Sequence, residues 1–231
     1  MPDSFTRFGS AHIGAILLTV SAPLVLSAVA RRDAAGSASK IIRWTLVALL
    51  VGNRTFRILL LHCEGELTVE SVAPMHLCDW ASIAAVITLA YPNQWTYELC
   101  YFWAMGGTLQ ALVTPDLAYG FPDPRFITFF ISHGGVITAA LYATLCMGMR
   151  PVPMSIVRVL IWSVVYLVAA MTANFLLDAN FGYLRAKPSQ PSALDYLAPW
   201  PYYIVQLATL AIASTLLYYA PFFIIDRLKR R

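Results

Sequence analysis

"AHIGAILLTVSAPLVLSAVARR", Ala11–Arg32, carries no charge until it meets two arginines at its end. An α-helix needs about 20 apolar residues to cross the hydrocarbon of a bilayer. The stretch therefore reads as a membrane span, with Arg31 and Arg32 anchoring one end. No basic lead precedes it, so it is expected to be a retained helix rather than a cleaved signal peptide. The whole chain follows the same pattern. Of its 231 residues, 59% are hydrophobic and 12% charged, and the mean hydropathy is +0.65. Soluble domains carry about 25% charge.

The fold class expected is all-α: a polytopic bundle of seven transmembrane helices in one domain, residues 1–231. The predicted spans are Ala11–Ala30, Ile41–Leu61, Pro74–Tyr91, Trp95–Val113, Arg125–Met147, Pro153–Leu177 and Pro199–Ile225. Gly- and Pro-bearing stretches such as "RRDAAGSASK", "YPNQ" and "TPDLAYGFPDPR" separate them. Arg31, Arg32, Lys40, Arg43, Arg150, Arg158, Arg227, Lys229, Arg230 and Arg231 fall on one side, and Arg7, Arg125, Arg185 and Lys187 on the other. The richer side is expected to be cytoplasmic, with the N-terminus outside and the C-terminus inside. The net charge of +4 then reflects orientation and does not suggest nucleic acid. There is no internal repeat of the kind that builds transporters from inverted halves. Lys40, Lys187 and Lys229 lie outside the spans, which leaves no Schiff-base lysine for a retinal-type chromophore.

Ionisable groups inside a bilayer are costly and mostly face the bundle interior. Here they sit at one depth. The second span carries Asn53, Arg54 and Arg57 in its outer half. The third has His76, Cys78 and Asp79 near its outer start, the fourth Gln110 near its outer end, and the fifth His133, the only other deeply placed histidine. The sixth ends with Asn174 and Asp178, and the seventh begins with Trp200, Tyr202, Tyr203 and Gln206. A shared polar cavity in the outer half is the expectation. Gly134 and Gly135 beside His133 permit close approach of a neighbouring helix.

Residues three apart share a helix face. Arg54 and Arg57 do so, as do His76 and Asp79, whereas Cys78 lies about 160° from His76 at about 100° per residue. A base for Cys78 is therefore sought on another helix, in His133. One arginine is expected to pair with Asp79 and the other to meet an anionic head group, since guanidinium forks match phosphate. The alternatives are snorkelling arginines, a His133 that bonds a carbonyl, and Trp200 and Tyr203 as an interfacial belt. Cys78 itself has three readings. It is a nucleophile favoured by a nearby helix N-terminus, with Pro74 starting the helix; it is a disulfide partner of Cys63; or it joins His62, Cys63, His76, Asp79 and His133 around a metal. The four cysteines form no CxxC pair and no standard zinc spacing, so neither metal nor cofactor is expected.

"PMHLCDW", "GGTLQALVTPDL", "FFISHGG", "NFGYLRAKPSQPSALDYL" and "APWPYY", in that order from Pro74 to Tyr203, resemble the hallmarks of the YwaF-like integral membrane family. That family is similar to eukaryotic transmembrane protein 164. The resemblance implies phospholipid acyltransferases that pass an acyl chain through a cysteine thioester, with more distant fatty-ester hydrolases using threonine and histidine. Cys78 and His133 match the family's cysteine and histidine positions. The expected function is thus a membrane lipid acyltransferase or acyl hydrolase acting on (lyso)phospholipid. Cys78 is the nucleophile and His133 the base. Arg54, Arg57, His76, Asp79, Asn174, Trp200 and Tyr203 contact substrate, and Gln110 positions the ester. Its partners are membrane lipids, a lysophospholipid and an acyl donor, and its location is the cell membrane. The alternatives are a non-catalytic lipid or small-molecule binding, sensing or transport protein using the same cavity, and a structural partner in a larger complex.

Overall fold

The computed structural model describes residues 4–229, and among them there is no β-strand, only an isolated bridge between Ser4 and Tyr119. The long helices are α1 (Ser10–Arg32), α2 (Ser37–Glu64), α4 (Leu77–Ala90), α5 (Gln94–Trp103), α7 (Pro124–Leu145), α8 (Pro153–Leu177) and α9 (Tyr202–Lys229), with the one-turn α3 (Val69–Val72) and the short α6 (Leu109–Val113) between them. By length and composition, 6 helical stretches of the described residues suffice to cross a membrane. A seventh segment runs from α5 through a π-helical turn, Ala104–Thr108, into α6. The chain is a multi-pass membrane protein.

The bounds of α8 coincide with the expected span and the others shift by up to four residues, the last helix starting at Tyr202 rather than Pro199; the third and fourth spans differ for physical reasons. The third does not start at Pro74. Pro74 disfavours helical backbone in the residue before it, so Ala73 is extended (φ −68°, ψ 126°) and α3 ends there; His76 is still extended (φ −76°, ψ 152°). The Asp79 carboxylate accepts from His76 N at 3.1 Å and so caps the helix from inside. The preceding loop holds α3, capped where Ser71 N donates to Thr68 Oγ1 and Thr68 N to Ser71 Oγ. The fourth span is not a plain α-helix, because the π turn falls on "AMGGT".

The α7 helix is the hub. Of its apolar window 72% is buried, against 11% for α9. It packs against α1, α2, α4, α5 and α6, while α8 and α9 lie to one side. Glycine sets these approaches. A Cβ on Gly134 would fall 2.5 Å from Thr19 Oγ1 of α1, and one on Gly135 would fall 2.9 Å from Leu50 of α2. In the π turn, Gly107 does the same for Leu77 of α4 at 2.9 Å. Apolar side chains such as Leu17, Leu18, Phe175 and Leu217 point outward, as a lipid-facing surface does.

Polar contacts sort the helix ends into two groups. At one end Arg31 donates to Leu145 O, Arg43 donates to Leu89 O (2.6 Å), Gln94 donates to Arg150 O (2.9 Å), and Arg150 pairs with Asp226 (2.7 Å). The α1–α2 turn lies there too. Its Asp33 accepts from Ser37 Oγ, Ala38 N and Ala35 N, which hold the carboxyl below its usual range. Glu98, 1% exposed, is met by Ser155 Oγ (2.7 Å), Gln94 Nε2 (2.9 Å) and Arg158 (3.2 Å). At the other end Arg125 pairs with Glu64 (2.6 Å) and Glu66 (3.0 Å), and Arg7 donates to Pro191 O.

Gly134→Ala should therefore push α1 off α7. Overpacking of this kind costs about 1–3 kcal/mol, and a lowered melting temperature in detergent is expected, partly restored by adding Thr19→Ala, which removes the clashing hydroxyl. Melting at the wild-type temperature would mean that α1 and α7 do not meet at this glycine.

Candidate functional site

Leu50, Asn53, Arg54 and Arg57 recur at the spacing of one helix face and form the α2 wall of a cavity of about 110 Å³. The α4 wall is Cys78, Asp79, Ser82 and Ile83, with Pro74 ahead of it, and α7 contributes Ser132 and His133. Of the residues expected at the site, Cys78, His133, Arg54, Arg57 and Asp79 are brought together here. The volume suffices for a few water molecules or one small polar group.

Each wall is held by named bonds. Asn53 Nδ2 donates to Thr128 O at 3.0 Å and ties α2 to α7. Arg54 Nη1 meets Asp79 Oδ1 at 3.1 Å, and Arg54 Nη2 donates to Val72 O at 2.7 Å. Arg54 is thus the partner of Asp79, and Arg57 has no ion pair or side-chain hydrogen bond among the described residues. His133 Nδ1 lies 2.8 Å from Phe129 O, and the ring stacks on Phe129 at 4.1 Å. A carbonyl can only accept, so Nδ1 carries the proton and the neutral ring keeps its Nε2 lone pair open. Ser132 Oγ also donates to Phe129 O, at 2.9 Å. Cys78 and Cys63 are both free thiols, so the disulfide reading is not what the structure shows. Among the described residues no group of three or more His, Cys, Asp or Glu could hold a metal ion.

The other expected site residues lie elsewhere. His76 precedes the first turn of α4, so the 100° step does not relate it to Asp79. Cys78 and Asp79, set apart in the sequence reading, line the same cavity. The His76 ring instead sits beside Phe181 (5.5 Å) and Tyr183 (5.9 Å), with Gly182 N donating to its Nδ1 at 3.3 Å. Asn174 brackets the same loop: its Nδ2 donates to Phe181 O (3.0 Å) and its Oδ1 accepts from Phe181 N (2.6 Å). Trp200 Nε1 donates to Leu184 O at 3.2 Å, and the Tyr203 hydroxyl donates to Tyr183 O. These four side chains clamp the loop 181–184. Gln110 is exposed and lines neither cavity.

Sequence reasoning passed over His12. It is 1% exposed, accepts from Phe8 N at Nδ1 (2.9 Å) and donates from Nε2 to Leu112 O (2.9 Å). Both its nitrogens are spent on backbone, so its role is structural. It also passed over a second cavity, of about 290 Å³, lined by Arg57, Glu66, Asp116, Tyr119, Arg125 and Gln190, with Thr128 and Phe129 in its wall. The two cavities share Arg57. Tyr183 lies beside this region; burial and the neighbouring Asp116 push its phenol above the usual range, and it donates to Asp116 Oδ2 at 3.0 Å.

The Arg54–Asp79 pair is partly buried, and such pairs are coupled more strongly than exposed ones, which contribute about 0–1 kcal/mol. A double-mutant cycle with Arg54→Gln and Asp79→Asn should return a coupling of about 1 kcal/mol or more in detergent unfolding. Additive effects would mean that the two charges do not act as a pair.

No curated protein and no solved structure matches the chain. A family model, described as the TMEM164 family, matches residues 7–219. The match takes in α1 and α2, which the five motifs did not reach, together with every residue of the inner cavity. The chain belongs to the TMEM164 family.

Proposed function

We propose that the protein is a lipid acyltransferase or acyl hydrolase that works on (lyso)phospholipid through a cysteine thioester. The observation that carries this reading is that Cys78 and His133, on α4 and α7, line one cavity. His133 Nε2 takes the proton from Cys78 Sγ, and the sulfur attacks the ester carbonyl of the donor lipid. The tetrahedral adduct collapses, the glycerol oxygen leaves with the proton from His133, and an acyl thioester remains on Cys78. An incoming lysophospholipid hydroxyl, deprotonated by His133, then attacks the thioester and releases the new ester and the thiol. With water in its place the product is a fatty acid. The carboxylate nearest the thiol, Asp79, is neutralised by Arg54, which removes one charge that opposes thiolate formation.

The excess of Arg and Lys at the end holding Arg31, Arg43, Arg150 and Arg158 supports a cytoplasmic location for that end. The cavity then lies in the outer half of the bilayer of the cell membrane. A second reading, lipid binding without chemistry, is favoured by one observation: no hydrogen bond joins Cys78 to His133 among the described residues. General bases also act through a single water, which the cavity accommodates.

Purified protein incubated with a labelled phospholipid donor should acquire the mass of one acyl chain on Cys78, and a lysophospholipid acceptor should discharge it. Cys78→Ala should abolish transfer, and His133→Gln should slow it by about 10²–10⁴-fold. Turnover by Cys78→Ala equal to wild type would sink the thioester. A labelled lipid that binds tightly without ever acylating Cys78 would favour the second reading.

A further inference from the structure

The outer cavity has a charge pattern that the proposed chemistry does not use. Two arginines and two carboxylates line it: Arg57, Arg125, Glu66 and Asp116. Arg125 is already surrounded by acids, with Glu64 at 2.6 Å, Glu66 at 3.0 Å and Asp123 at 3.9 Å. Its Nε nevertheless stays buried with no hydrogen-bond partner among the described residues. Arg57 has no carboxylate partner among the described residues. Asp116 has no Lys or Arg partner among the described residues; it accepts only from Tyr183 Oη (3.0 Å), Gln190 N (3.1 Å) and Ser189 Oγ (3.4 Å). Among the described residues, one cation and one anion without an oppositely charged partner thus face the same space.

Each simple occupant meets an objection. A purely anionic ligand would be drawn to Arg57 but repelled by Asp116 and by the carboxylates that outnumber Arg125. A purely cationic one would leave Arg57 unanswered. A group carrying both charges answers both. Its position relative to the inner cavity is set by Arg57, which lines both spaces, and by Phe129, which lines the outer space and stacks on His133.

We propose that the outer cavity is a subsite for a zwitterionic head group, an anionic phosphoryl group meeting Arg57 and an ammonium meeting Asp116. That the attached acyl ester then reaches Cys78 rests on the thioester reading; the head-group subsite does not. Arg54, held by Asp79 and Val72, takes no part. Asp116 is the specificity determinant and Arg57 the anchor.

Native mass spectrometry of the full chain in detergent tests this by competition. The probes are dihexanoyl phosphatidylethanolamine, dihexanoyl phosphatidylglycerol with the same chains, and inorganic phosphate. Wild type should prefer the zwitterion by about tenfold, the ratio given by about 1.4 kcal/mol of discrimination. Asp116→Asn should bring that ratio close to one. Arg57→Gln should weaken both lipids by a similar factor. Tyr183→Phe removes a hydrogen bond to Asp116 but keeps its charge, and should keep the preference.

A wild-type ratio near one would overturn the proposal. So would a ratio unchanged in Asp116→Asn, or lost equally in Tyr183→Phe. Displacement of the ethanolamine lipid by inorganic phosphate at equal concentration would make this a free-phosphate site and overturn it as well. The readout is binding, so a preference that stands while Cys78 is never acylated would defeat the thioester reading alone. An acylated Cys78 without the preference would defeat the head-group subsite alone.

Discussion

The half of the bundle that holds the two cavities depends on how closely α7 meets its neighbours. Gly134 and Gly135 present bare backbone where Thr19 and Leu50 arrive. Those two contacts seat α1 and α2 directly beside Ser132 and His133. In a bilayer, helix association rests on packing and interhelical polar contacts rather than on water exclusion. Small residues at the hub therefore set the distance at which side chains from α2, α4 and α7 converge. Arg54 then locks the third wall by joining Asp79 and the Val72 carbonyl.

Most of the helical segments were legible because apolar length is a direct physical requirement of crossing a bilayer. The α8 boundaries match the expected span, and the Gly134–Gly135 approach was readable from residue type alone. Depth was a weaker guide. His76, Asn174, Trp200 and Tyr203 were expected at the depth of the cavity, yet they hold the loop 181–184. Polarity at a given depth does not distinguish a side chain lining a space from one binding a backbone carbonyl. The face argument worked for α2, where Leu50, Asn53, Arg54 and Arg57 form one stripe. It failed at His76, because helical stepping does not extend to an extended cap. Glu98 and His12 were missed for a related reason: their partners, Arg158 and Leu112, come from distant parts of the chain.

The two deeply buried histidines show why hydrogen-bond inventories matter more than burial. His12 spends both ring nitrogens on backbone groups. His133 spends one, and the other is open in a cavity that holds a thiol. The same inventory separates the arginines of α2: among the described residues, Arg54 is committed to protein acceptors and Arg57 is not. Arg57, without a hydrogen-bonded or charged partner among the described residues, and Asp116, which accepts three hydrogen bonds there but meets no cation, mark where a ligand's charges would be met. The inner cavity with its thiol and the outer one with its two open charges share a wall, which suits a molecule with a charged head and a reactive ester.

The central claim is that Cys78 and His133 face each other across one cavity. The most direct measurement is thiol cross-linking with dibromobimane in a chain whose only cysteines are Cys78 and the product of His133→Cys. Efficient formation of the fluorescent bridged product is expected, and it should be lost when either position is serine. Separate labelling of both thiols without a bridged product would contradict the shared cavity.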